Sequence, residues 1–257
     1  MRFVWLCLLL FLSYVIAMVA LFPAAPVVDK IRPQLGPVAL EGVNGKLYKG
    51  VIDRVRSTDD LLPLEFQNVG WVLSPRTLLQ GGAGAAISFD GYGGRGSGLV
   101  TRAWNGDVSV TDFTVTLQAK ALETLLPVPI ASFSGLISGD IQHVKLVNNL
   151  LSSVDGKLVW IEAQLQTPVP TQLGTVEIVI TPDGSDSHAV SLTAAGGDVA
   201  MDGTVNIKLN GDFVADVLFT PSSNAPAAVI NGLRQMARPD AQGRVRFQRQ
   251  GNLNRLI

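Results

Sequence analysis

The chain has 257 residues, of which 47% are hydrophobic and 16% charged, and its formal net charge is −1. Against a usual charged share of about 25%, such a composition excludes intrinsic disorder, and the absence of a Gly period excludes a collagen-like chain. One Cys excludes a disulfide scaffold and argues against a Cys-rich zinc or iron–sulfur site; two His, 45 residues apart, leave little for a His-based metal cluster; the near-zero charge gives no global pull toward nucleic acid.

After Met1 and Arg2 no charge occurs until Asp29, so residues 3–28 form an uncharged run. As a helix it would be ~39 Å long, against a bilayer core of ~30 Å. The pattern predicts a membrane helix over Phe3 to Phe22. Its apolar side chains are Phe3, Val4, Trp5, Leu6, Leu8, Leu9, Leu10, Phe11, Leu12, Val15, Ile16, Val19 and Leu21, with Trp5 near one interface. A cleaved signal peptide is the competing reading. It fits less well, because cleavage after Ala20 or Ala24 puts Met18 or Phe22 where a small residue is needed. Arg2 and the α-amino group favour a cytoplasmic N-terminus, opposed by Lys30 and Arg32, and a long C-terminal domain is exported regardless of charge. The expected layout is an anchor over 1–28 and a periplasmic domain over 29–257.

The remainder alternates with period two. In Thr204–Asn210, Val205, Ile207 and Leu209 face one way, and Phe213, Ala215, Val217 and Phe219 continue the pattern after the Asn210-Gly211 turn. Further strands are predicted at Ala85 to Asp90, Gly98 to Trp104, Asp107 to Leu117, Gly156 to Gln166, Gly174 to Thr181 and Ala189 to Ala194. The turn signals between them, such as Asn105-Gly106 and Pro182-Asp183-Gly184, make antiparallel meanders. Helices are few. One is expected over Ala225 to Ala237, capped by Ser222-Ser223-Asn224, with short pieces at Asp59 to Glu65, Pro75 to Leu79 and Ala119 to Leu125. The fold class is therefore mainly β: an N-terminal transmembrane helix, then a strongly curved antiparallel sheet with few short helices.

Most catalytic and cofactor patterns fail on context. Gly91-Tyr92-Gly93-Gly94-Arg95-Gly96 spells a dinucleotide fingerprint, but strands flank it on both sides, so it reads as a flexible hairpin tip. Asp183-Gly184-Ser185-Asp186 lacks the ligand series of a calcium loop. His143 and His188 are single histidines on strands or turns, and the carboxylates Asp53, Asp59, Asp60 and Glu65 read as solvated. Nothing assembles a nucleophile, a base and an orienting group. The chain reads as not an enzyme, with no cofactor, metal or catalytic residue.

Charge is segregated instead. Residues 177–216 carry seven acids against Lys208, and residues 232–257 carry six Arg against Asp240. Either the two regions pair with each other, or Arg234, Arg238, Arg244 and Arg246 form a docking surface for a protein or a lipid headgroup. The apolar strand face at Val205, Ile207, Leu209 and Phe213 has few helices to cover it. It marks either a rolled sheet or an open apolar groove.

Several segments together resemble one family. Leu40-Glu41-Gly42-Val43-Asn44-Gly45-Lys46-Leu47-Tyr48-Lys49-Gly50, then Val69-Gly70-Trp71-Val72-Leu73 with Leu78-Leu79-Gln80-Gly81, then Val154-Asp155-Gly156-Lys157-Leu158-Val159-Trp160 are similar to motifs of the type II secretion system protein N family. So are Leu173-Gly174, Gly196-Gly197 and the tail from Gly232 to Arg244. Lys46 and Tyr48 stand where Thr and Trp are usual, and the Gly-rich stretch at 91–98 is unusual for the family. The resemblance spans roughly 1–253. It implies a bitopic inner-membrane accessory of the machine that exports folded periplasmic proteins across the outer membrane, working through contacts with other secretion components. It also implies a distant likeness to AsmA-like proteins, whose curved sheets carry lipid, so lipid binding or transfer is the alternative role.

Overall fold

The computed structural model describes residues 2–34, 36, 38–57, 64–124, 132–148, 150–167 and 169–252. Helix α1 (Arg2–Leu21) is followed by α2 (Ala25–Ile31) and a 3-10 turn at Arg32–Gln34. The strands then run in chain order: β1 (Val38–Lys46), β2 (Lys49–Ser57), β3 (Glu65–Ser74), β4 (Gly82–Gly91), β5 (Gly94–Ala103), β6 (Val108–Gln118) and β7 (Ser132–Val147). After these come β8 (Leu150–Thr167), β9 (Thr171–Asp183), β10 (Ser187–Gly196), β11 (Val199–Lys208), β12 (Asp212–Pro221) and β13 (Val245–Asn252). Helix α3 (Pro75–Leu79) lies between β3 and β4, and α4 (Ala227–Met236) between β12 and β13.

All thirteen strands form one antiparallel sheet in chain order, β1 through β13, and the first and last strands do not pair. The expected antiparallel meander is therefore observed, and it stays open. Short turns explain the order, since antiparallel neighbours need only a two-residue link. Between β4 and β5 that link is Tyr92-Gly93, both with positive φ (54° and 71°), as a tight hairpin turn with the twist of its strands requires. The sheet is broken by bulges at Gln67–Gly70, Ser97–Leu99 and Trp160–Ala163, where Asn68, Asp112 and Glu162 also take positive φ. A bulge bends its strand and increases local twist.

Details of the helices differ from the sequence expectation. Helix α4 starts at Ala227 without a side-chain cap, and Pro226 before it is extended at φ −57°, ψ 142°. The Pro226 ring disfavours a helical Ala225, so Ser222 closes a turn with the Ala225 N–H at 3.1 Å instead of capping. The piece at Pro75 to Leu79 is present as α3, and Ala119–Thr124 is 3-10. The piece at Asp59 to Glu65 falls mainly outside the described residues, and Glu65 itself opens β3. At the N-terminus α1 is a 20-residue helix with Arg2 as its sole charge, and Phe3, Trp5, Leu9 and Phe11 are exposed. Counted over the described residues alone, no helix is long and apolar enough to cross a membrane. The expected transmembrane helix thus stands as a helix, with its membrane span resting on the sequence. The helix is tied to the sheet directly after it ends: the Ala24 N–H donates to Gly45 O at 3.0 Å, and the Leu47 N–H to Phe22 O at 2.9 Å.

The accessible surface is 16820 Å². A compact monomer of 27.3 kDa would expose about 11,000 Å². The excess reflects a sheet with no second layer over most of its length, and the buried core is correspondingly thin. One cluster joins Ala163, Val176 and Ala194 with Trp160, Ile178 and Leu192; another joins Val199, Val229, Leu233 and Val245.

Elsewhere, rings lying flat over neighbouring strands supply the packing. Phe89 on β4 and Phe113 on β6 stack at 6.1 Å although β5 runs between them, because β5 presents Gly96 and Gly98 beneath the rings. Phe66 meets Phe89 edge-on at 4.8 Å. The expected hairpin tip is thus present at Tyr92-Gly93, while Gly94, Gly96 and Gly98 beyond it belong to the strand β5, where Gly96 and Gly98 make room for aromatics. A Cβ on Gly96 would stand 2.4 Å from Phe89 Cζ, and Phe66 and Phe113 limit where that ring can move. Gly96→Ala is expected to lower stability by about 1–3 kcal/mol in urea unfolding. Adding Phe89→Leu should recover part of the loss, so that the double mutant is less destabilised than the two single effects combined.

Candidate functional site

In an antiparallel ladder, directly paired residues share a face. Following the pairs assigns two opposite faces to the whole sheet. On one side, Trp71 pairs with Ile87, Phe89 with Gly96, Gly96 with Val115, Val115 with Gly139, Ile137 with Trp160 and Trp160 with Val176. The same side continues through Ile178–Leu192, Val190–Val205, Val205–Ala215 and Val217–Phe247. It is mostly apolar, with His188 and Arg249 among the exceptions. The other side carries Glu41 opposite Arg54, Ser97 opposite Thr114, Val159 opposite Glu177 and Asp216 opposite Gln248. Its ion pairs, such as Arg54–Glu65 at 3.2 Å and Lys157–Glu177 at 2.8 Å, are half exposed and contribute little to stability.

Three of the four groove candidates lie on the apolar side. Ile207 pairs with Phe213, and Val205 with Ala215. Leu209 lies one residue past β11, which ends at Lys208; its N–H donates to Asp186 O at 2.8 Å, in the register of the β10–β11 ladder.

An open apolar pocket lies at the other end of the same strands. Helix α4 lies over the apolar side there, with Val229 and Leu233 packed against Val199 and Val245. Beside the helix is a cavity of about 310 Å³ lined by Leu165, Val169, Leu173, Met201, Phe219 and Met236 among others. Thr171 is the sole polar side chain in its lining, and its hydroxyl donates to Val169 O at 2.9 Å. The residues Val229, Leu233 and Met236, spaced i, i+4, i+7, carried the signal for this site in the sequence. That spacing marks a helix face turned onto the sheet.

The four docking arginines separate into two kinds. Arg246 on β13 donates from Nε to Asp216 Oδ1 at 2.8 Å and from Nη2 to Oδ2. With Gln248 also donating at 3.0 Å, these hydrogen bonds hold the Asp216 carboxyl down at about 2 and raise the Arg246 guanidinium. Arg244 donates from Nε to Asp240 Oδ2 at 2.7 Å. Arg234 and Arg238 make no ion pair among the described residues. Arg238 lines a polar cavity of about 600 Å³ with Asp202, Thr204, Asp216 and Asp240 on the hydrophilic side of the sheet. Of the acidic and basic regions seen in the sequence, only Asp216 and Arg246 form an ion pair across them among the described residues.

The remaining candidates are structural. His188 is buried on the apolar side of β10, and its Nε2 accepts the Val154 N–H at 2.9 Å from β8, across the intervening β9. His143 lies on β7 opposite Asp155. Asp183 accepts the Asn206 side chain at 3.0 Å. Glu65 is paired with Arg54 and Arg56, and Asp59 and Asp60 lie outside the described residues. No group of three His, Cys, Asp or Glu side chains is placed to hold a metal among the described residues.

Against this geometry, comparison with known proteins is consistent. The family model described as "Type II secretion system (T2SS), protein N" matches residues 36–248, from just before β1 into β13. A type II secretion system protein N of Vibrio cholerae serotype O1 is 28% identical over 95% of this chain and 97% of its own length. Another, from Aeromonas hydrophila, is 26% identical over 95% of this chain and 96% of its own. No solved structure matches.

Two predictions follow the local chemistry. The Asp216 carboxyl is depressed on folding, so its contribution to stability is complete above its ordinary value of 3.8 and is lost as pH falls through about 2. The urea midpoint of the wild type should exceed that of Asp216→Asn at neutral pH, and the gap should close across that acidic window. His188→Leu strips the Val154 N–H of its acceptor. It should lower stability by about 1–3 kcal/mol and accelerate hydrogen exchange at Val154 specifically.

Proposed function

The chain belongs to the type II secretion system protein N family, and on that premise we propose that it is an inner-membrane accessory of the machine, anchored by α1 with the sheet in the periplasm. The anchor reading is supported by a 20-residue helix, ~30 Å long, whose sole charge is Arg2 and whose large apolar side chains stand exposed. The role is one of contact, not catalysis. Within it, the hydrophilic side of β11–β13, with Arg238 unpaired beside the polar cavity, faces other secretion components.

The uncovered apolar side supports a second reading at the level of mechanism. A continuous apolar sheet face with partly exposed side chains marks a ligand or partner site. The cavity beside α4, about 310 Å³ and almost wholly apolar, has the size and lining of a small hydrophobic ligand site. An acyl chain along this face would make the protein a lipid-binding component of the same machine.

In-cell photocrosslinking separates the two. A photoreactive residue replaces Ile207 or Phe213 on the apolar side, Met236 at the cavity, and Asn206 or Arg238 on the hydrophilic side. Protein adducts at Asn206 and Arg238, with none at Ile207, Phe213 or Met236, are expected for the docking role. Lipid adducts confined to Ile207, Phe213 and Met236 favour lipid binding. Absence of adducts to secretion components, together with unchanged exoprotein secretion on deletion, sinks the accessory role.

A further inference from the structure

The two edges of the open sheet are treated differently. The β1 edge is occupied by the segment that precedes it. Pro23 bridges Lys46, the Ala24 N–H donates to Gly45 O at 3.0 Å, and further along the Arg32 guanidinium donates to Leu40 O at 3.2 Å. The β13 edge, from Val245 to Gly251, has among the described residues one backbone partner beyond β12, the Pro239–Val245 bridge at its start. An edge strand of this kind offers a row of N–H and C=O groups to an added strand.

Charge selects what can add. From Ala241 to Ile257 the sequence holds four Arg and no Asp or Glu. Arg244 and Arg246 are neutralised by Asp240 and Asp216. Arg249 is different: it pairs with Ala215, so it stands on the apolar side of the edge strand, exposed and with no ion pair among the described residues. An inward charge on an edge deters a purely apolar strand and favours one that brings a carboxylate opposite it. A second copy of this chain is disfavoured in both arrangements. Pairing β13 with β13 about a twofold through Arg249 would set the two Arg249 side chains against each other, the neighbouring registers put Arg249 opposite Phe247 or Gly251 with no carboxylate to meet it, and the β1 edge is already filled.

We propose that the β13 edge docks an extended, acidic segment of a partner protein, which adds as a further strand with a carboxylate against Arg249. This goes beyond the role proposed above and does not depend on it.

The test uses the full chain in lipid nanodiscs and two short extended peptides of alternating Val and Thr, one with a central Glu and one with a central Lys. The Glu peptide should slow amide exchange along β13 and leave β10 unchanged. Arg249→Glu should invert the preference by about tenfold or more, binding the Lys peptide and losing the Glu peptide. No protection of β13 by either peptide, or equal binding of both, overturns the proposal. So does protection of β13 by phosphatidylglycerol vesicles in place of peptide, which would make the edge a lipid-headgroup surface. Concentration-dependent dimerisation that protects β13 without peptide would overturn it in favour of a second copy.

Discussion

Everything in this molecule follows from a sheet that has one apolar face and only a fragment of a second layer. Among the described residues each strand's backbone ladder joins it to its chain neighbours alone, so the ladder, not a central core, carries the architecture. An ordinary domain of this length closes two layers over a shared interior. Here α4 covers one end of the apolar side, and rings laid across the strands shield part of the rest. Such a face is stable in isolation only if the bulk of its apolar area is shielded in some other way. Glycines opposite Trp71, Phe89, Phe113 and Phe213 let those rings lie flat and shield the strands beneath.

The sheet was legible in the sequence because period-two alternation is strong and the turns are marked by Asn-Gly and Asp-Gly pairs. Asp212–Pro221, for example, was recovered from Phe213, Ala215, Val217 and Phe219 alone. What alternation does not reveal is where a strand stops: β11 ends at Lys208, and Leu209, still in register with Asp186, already belongs to the turn. Alternation also treats glycine as an interruption. The stretch from Gly91 to Gly98 was therefore read as a flexible tip, whereas Gly94, Gly96 and Gly98 repeat with the same period as any strand and differ only in lacking a side chain. The rings that fill the space come from the two neighbouring strands, and no local pattern reports them.

The candidate sites were half legible for a similar reason. The Arg-rich tail was visible as composition, but which arginines are consumed internally depends on strand register. Asp216 and Arg246 are 30 residues apart and meet because Leu218 pairs with Arg246 and Asp216 with Gln248. Arg249 entered the docking argument only through its pairing with Ala215, a fact of register that composition does not hold. The cavity beside α4 was hidden because its lining comes from β8, β9, β11 and β12 together with the helix.

The strict chain order of the sheet has a consequence for how the protein forms. Every ladder joins strands adjacent in sequence, so contact order is low for a β protein of this size, and the longest connection, residues 222–244, carries α4 between β12 and β13. A chain that emerges N-terminus first adds each new strand to the one just before it, with no need to wait for a distant partner. The first hairpin is also the one clasped by Phe22 and Ala24, so growth starts from a fixed seed at the end of α1 and proceeds in one direction. The last strand to join is β13, and α4 can seat Val229 and Leu233 against Val245 only when that strand arrives. Sealing the cluster under α4 is thus the final step of a progressive zippering, which makes an intact β13 end a signature of a chain that has finished folding.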